Sequence, residues 1–186
     1  AKEYGITTII DGAHAPAHID LNLEKLDVDI YTGACHKWML CPKGVSFLYA
    51  AKEFQKNLEP LVVSWGWESE SISGSQFLDH HQYQGTNDIS TYLSVPRSIE
   101  FMKDNNWEVV KKNCRDRILE TRDLLLQTTG SDAICEKKLL GQMTSVRLDV
   151  KDSKGLYEYL KSHNIVIPVI DWNGMVLIRA SFQCYN

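Results

Sequence analysis

An α/β fold followed by a small α+β unit is what this sequence predicts, on three observations. Short β-branched or aromatic runs bounded by glycine or charge occur at 6–10, 28–32 and 45–50. Only brief crossovers part them, which favours a sheet with covering helices. From Ser90 the apolar spacing becomes helical, and after Gly130 strand-like runs return around one more helix.

The elements follow in order. Residues 1–5 read as the last turn of a helix, and 6–10 as a buried parallel strand ending before Asp11. Leu21, Leu23 and Leu26 among charges predict a short helix or turn that crosses to a strand at 28–32. A third strand covers 45–50. Residues 55–84 are polar, irregular and rich in Trp, Ser and Gly, a surface excursion of the length that functional or contact loops have. Leu93, Ile99 and Met102 share a helical face, with Pro96 expected to kink that helix. A second helix, from about 107 to 128, carries Val110, Cys114, Ile118, Thr121 and Leu125 at spacings of three to four, and Gly130 stops it. Then come a strand at 144–150, a helix capped by Asp152 or Ser153, and strands at 165–169 and 175–182. The expected division is 1–98 for the sheet domain and 99–186 for the small unit.

Composition excludes several classes. Apolar residues make up 44% of 186, enough for a packed core, and the formal charge of −4 carries no dense basic stretch for nucleic acid. No apolar run approaches the roughly 20 residues that span a bilayer. The five cysteines lack metal-ligand spacing and read as reduced thiols of a cytoplasmic protein. Cys35 and Cys41 read as packing residues, since only His36 stands near enough in sequence to serve as a base.

The chemistry lies in two short stretches. Asp11-Gly12-Ala13-His14 ends one apolar strand, and Tyr31-Thr32-Gly33-Ala34-Cys35-His36-Lys37-Trp38, closed by Pro42-Lys43-Gly44, ends the next. Ligands of open α/β sheets bind beyond the carboxyl ends of the strands. A carboxylate and a lysine there are the two groups that pyridoxal phosphate needs on opposite sides of one ring. The lysine forms an imine with the aldehyde, and the carboxylate keeps the pyridine nitrogen protonated. His14 is placed to reach the ring hydroxyl, Thr32 and His36 to hold phosphate, and Lys37 to move a substrate α-proton. An isolated lysine or strand-end aspartate is ordinarily a solvated charge or a turn residue; the combination is what carries the reading.

At these residues the chain resembles the class V aminotransferase superfamily of fold type I pyridoxal phosphate enzymes, which includes cysteine desulfurases. Within it the chain is most similar to isopenicillin N epimerase-like proteins. The likeness continues through Gln84-Gly85-Thr86 and Asp88, Tyr92-Leu93 and Val95-Pro96, Ile99-Glu100-Phe101, Ile178-Arg179-Ala180-Ser181 and Tyr185-Asn186. It implies that 1–98 is the carboxyl-terminal part of a large cofactor-binding domain, with 99–186 a small domain lacking its last helix. It also implies that Asp11 pairs with the pyridine nitrogen, His14 meets the ring hydroxyl, Lys37 forms the internal aldimine and His36 meets the phosphate. Thr86 would reach the phosphate of a neighbouring subunit in a homodimer with shared active sites. Arg179 would fork onto the substrate α-carboxylate.

Two departures sharpen the expectation. Ala34 stands where relatives have a hydroxyl or amide side chain for phosphate. Residues 165–174 contain no cysteine, which argues against persulfide chemistry of the desulfurase kind. The family has about twice this length, so the chain is expected to be the carboxyl-terminal half of a larger protein. The activity expected is an isomerase, a lyase or a transferase acting at the α-carbon of an amino acid or peptide-like amino acid, with epimerisation first. A carbon–sulfur lyase such as hercynylcysteine sulfoxide lyase comes next. The competing class is a truncated homologue that turns nothing over.

Overall fold

The computed structural model describes residues 1–186 and divides into two compact units, 1–102 and 103–186. In the first, strands β1 (Ile9–Asp11), β2 (Ile30–Ala34) and β3 (Ser46–Ala50) form one sheet in that order. β1 runs parallel to β2 with Asp11 opposite Thr32, and β3 runs antiparallel to β2 with Leu48 opposite Thr32. Residues opposite one another share a face, so Asp11, Thr32 and Leu48 line one side.

β1 is not the buried strand its composition predicts. It lies at the sheet edge with Ile9 73% exposed, because it has a strand on one side only. β2 also extends past the expected Thr32 to Ala34, so Lys37 sits three residues beyond the strand, in a turn.

The crossover is α1 (Leu23–Leu26). Asn22 caps it by accepting from the Lys25 N–H at 2.9 Å, and Asp27 ends it at φ 52°. Just before β2, Asp29 is buried and accepts from the Thr8 N–H at 2.7 Å and the Thr8 hydroxyl at 2.9 Å. Those bonds, led by the backbone one, hold its carboxyl below the usual range, with the Lys2 ammonium adding to them.

After β3 the chain forms α2 (Lys52–Gln55). The excursion that the sequence leaves irregular contains a further helix, α3 (Gln76–Gln82), which the Ser75 hydroxyl caps at Leu78 N. The expected proline kink is a break instead. α4 (Ser90–Leu93) stops at Ser94 and α5 (Val95–Asp104) begins, with Pro96 in its first turn, where a missing N–H costs no intrahelical bond. The Ser98 hydroxyl on α5 donates to the Met39 carbonyl, tying this helix to the segment after Lys37. Cys35, Cys41 and Val45 form a buried cluster against Met39, Phe47 and Val95. Burial pushes the Cys35 thiol up, as befits a packing residue.

In the second unit the long helix α6 (Trp107–Thr129) buries Trp107, Cys114, Ile118 and Arg122, and ends at Gly130 with φ 66°. The Arg122 guanidinium is satisfied by the Cys135 carbonyl at 3.0 Å and Asp123 at 3.2 Å. An antiparallel sheet has β6 (Met175–Ser181) between β4 (Met143–Leu148) and β5 (Val169–Trp172). α6 packs on β4 and β6, and α7 (Ser153–Ser162), capped by Asp152, packs on β5.

β5 begins four residues later than the apolar run at 165–169 suggests. Ile165 N–H returns to the Leu160 carbonyl to close α7, with Asn164 left-handed at φ 60°. Pairing starts only at Val169, and the hairpin to β6 turns through Asn173 (φ 48°) and Gly174 (φ 75°), the signs of a type I′ turn. No helix of the chain is long and apolar enough to cross a membrane.

Candidate active site

The first unit brings Asp11, His14, Thr32, His36 and Lys37 to one end of the β1–β2 pair. Asp11 closes β1, and its carboxylate accepts the Ala13 N–H at 3.0 Å, holding the 11–14 turn. Underneath lies Tyr31, 2% exposed, whose hydroxyl donates to the Gly12 carbonyl at 3.3 Å. Burial, then the Asp11 charge, raise the tyrosine's pKa and keep it a neutral donor. Glycine is required at two places by contact rather than by dihedral. A Cβ on Gly12 would stand 1.8 Å from the Tyr31 oxygen, and one on Gly33 2.4 Å from the Phe47 ring.

The sequence misses the group that joins the two loops, Trp38. Its indole N–H donates to His14 Nδ1 at 3.2 Å, and its ring stacks on His18 at 4.1 Å between centroids and 14° between planes. His18 in turn places Nδ1 2.9 Å from the His14 carbonyl. The loop that starts at Asp11 is therefore fastened to the residue that follows Lys37. An aromatic side chain directly after the lysine and two histidines four apart were the available signals.

His36 has a backbone partner. Its Nδ1 lies 2.9 Å from the Val45 carbonyl, which also accepts the Cys35 N–H at 3.1 Å. A carbonyl only accepts, so Nδ1 carries the proton and Nε2 of a neutral His36 is an acceptor. Thr32 is exposed and donates its hydroxyl to the Phe47 carbonyl at 3.2 Å, a bond it must release to donate to a phosphate. Lys37 is half-buried, and its amine meets no carboxylate.

Thr32 also borders a cleft of about 690 Å³ with Leu48, Phe77, His81, Tyr83 and Gln84. Thr86 is exposed, its hydroxyl 3.4 Å from that of Tyr83. Arg179 belongs to the second unit. It sits mid-strand in β6, its N–H bonded to the Pro168 carbonyl at 3.1 Å, and its guanidinium meets no carboxylate.

The donor set suits pyridoxal phosphate. An exposed carboxylate with one oxygen left over can take a pyridinium N–H, a primary amine without an ion partner can take an aldehyde, and imidazoles complete the surround. Fold and topology together define a mixed α/β protein whose candidate carboxylate and lysine lie at the carboxyl end of β1 and in the segment after β2.

The Aminotransferase class-V family profile matches residues 1–186, and the chain belongs to that family. It is 34% identical over 199 residues to the isopenicillin N epimerase of Amycolatopsis lactamdurans, covering 100% of this chain and 50% of that protein. It is 29% identical over 137 residues to the hercynylcysteine sulfoxide lyase of Schizosaccharomyces pombe, covering 72% of this chain and 35% of the lyase. The fold is shared with a C-DES mutant that has glycine covalently linked to its PLP cofactor. That structure superposes with a TM-score of 0.78 at 18% identity, over 95% of this chain and 47% of that one. The chain thus spans about half the length, or less, of the proteins it matches.

Proposed function

We propose that this chain is the lysine-bearing part of a pyridoxal phosphate-dependent enzyme acting at the α-carbon of an amino acid or peptide-like amino acid, as an isopenicillin N epimerase does. The observation that carries the reading is the fastening of the Asp11 loop to the Lys37 loop through Trp38. When bound, the cofactor supplies an electrophilic aldehyde and an electron-withdrawing pyridinium.

In this reading Asp11 orients the ring and holds a proton on its nitrogen. His14 donates from Nε2, Thr32 attends the phosphate, and His36 attends it with a second proton on Nε2, since its neutral form has only a lone pair there. Lys37 anchors the cofactor and, when its amine is released, takes a proton from the substrate at Nζ. Arg179 binds the substrate carboxylate as a two-pronged fork, which lysine could not imitate. The active form is a cytoplasmic homodimer in which Thr86 serves the neighbouring subunit's phosphate. The kinship to a sulfoxide lyase supports one second reading, loss of a β-substituent instead of return of the proton. Product analysis separates the two.

The test is incubation with pyridoxal phosphate, borohydride reduction and peptide mass spectrometry. Label on Lys37, absent in Lys37→Ala, is expected. A folded protein that takes no label there refutes the proposal.

A further inference from the structure

We propose that Trp38 is a positioning residue that fixes the proton of His14 on Nε2, and that cofactor binding depends on this selection. The inference rests on the functional reading above for its second half only.

An indole N–H donates and never accepts. At 3.2 Å from His14 Nδ1 it requires a lone pair there, so a neutral His14 carries its proton on Nε2. Imidazolium has no lone pair at Nδ1 and would set two donors against each other. The ring therefore offers a hydrogen-bond donor at Nε2, suited to an anionic oxygen of a ligand, while the opposite tautomer would present a lone pair to it.

The selector is itself held rigidly. Trp38 is buried, is stacked on His18, and follows Lys37 directly in the chain. His36 shows the contrasting case: its Nδ1 is matched to a carbonyl and takes the opposite tautomer. Two histidines of one site thus have opposite polarity because an N–H meets one and a C=O the other.

Long-range proton–nitrogen NMR correlation on histidine-labelled protein tests this without any variant. The expected pattern for His14 is a bare Nδ1 and a protonated Nε2, with the reverse for His36. Trp38→Phe keeps an aromatic face for His18 and deletes the N–H. His14 should then become a tautomer mixture, and affinity for pyridoxal phosphate should fall by the reciprocal of the fraction that keeps its proton on Nε2, about twofold for an even mixture.

A protonated Nδ1 in the unmodified protein, or an unchanged His14 pattern in Trp38→Phe, overturns the proposal. Unchanged cofactor affinity in Trp38→Phe despite a tautomer mixture overturns its second half. If the unmodified protein shows the expected His14 pattern yet takes no cofactor, the tautomer assignment stands and it is the proposed function that fails.

Discussion

Replacing Gly12 with Ala probes the support beneath Asp11. The new methyl would lie 1.8 Å from the Tyr31 oxygen, 2.0 Å from Cζ and 2.7 Å from Cε1, whereas ordinary contact begins at 3.4 Å. Gly12 is not among the left-handed glycines, so the cost is one of contact. The phenol must retreat by roughly 1.6 Å inside a packed interior, where its ring already stacks on Phe47. Such overpacking costs about 1–3 kcal/mol. Loss of the Tyr31–Gly12 hydrogen bond adds about 0.5–1.5 kcal/mol. The reduced freedom of the unfolded chain returns about 0.4–1 kcal/mol. The net is about 2 kcal/mol, equivalent to a fall in Tm of roughly 4–8 °C for a chain of this size.

Urea unfolding of four proteins isolates the cause of this loss. Tyr31→Ala alone should cost about 3–5 kcal/mol as a cavity, but in that background Gly12→Ala should be mildly stabilising, by the roughly 0.4–1 kcal/mol of lost unfolded-chain freedom. A coupling of about 3 kcal/mol is expected, the contact and hydrogen-bond losses together. Additivity of the two changes within about 0.5 kcal/mol, the usual scatter for independent sites, would show that the methyl does not meet Tyr31.

Three further outcomes are expected. Asp11→Asn keeps an acceptor for the Ala13 N–H but loses the charge. Pyridoxal phosphate affinity, read by fluorescence titration, should weaken roughly 10- to 150-fold, the worth of one charge-assisted bond of about 1.5–3 kcal/mol. Asp29 is held below the usual carboxylate range by Thr8, so its stabilisation is present above about pH 4 and is lost as pH falls through the lowered folded-state value. The urea midpoint of Asp29→Asn should therefore lie below that of the unmodified protein at pH 7 and converge with it in acid. Ile118, 0% exposed on α6, should cost about 2–5 kcal/mol when cut to Ala, measured by the same unfolding curves.

Much of the fold was written locally. The spacing of Cys114 and Ile118 and the Gly130 stop defined α6 to within a residue, and Asp152 caps α7 as its chemistry suggests. Asn173-Gly174 is an equally local hairpin signal, whereas the apolar run at 165–169 suggests a strand that starts too early: its first residue closes a helix, and only its end meets β6, through the Pro168 carbonyl and Val169. β1 failed for a different reason. Its residues are those of a buried strand, but burial depends on what lies alongside, and here only β2 does. Side-chain identity likewise marked Asp11, His14, His36 and Lys37 as a set, whereas the proton positions that decide what each histidine can do were illegible. They are fixed by partners 24 residues away for His14 and nine away for His36. Two imidazoles with the same local appearance acquire opposite polarity from an indole donor and a backbone acceptor. The chemical character of such a site is therefore set by register and loop closure, a level of information that composition and motif do not contain.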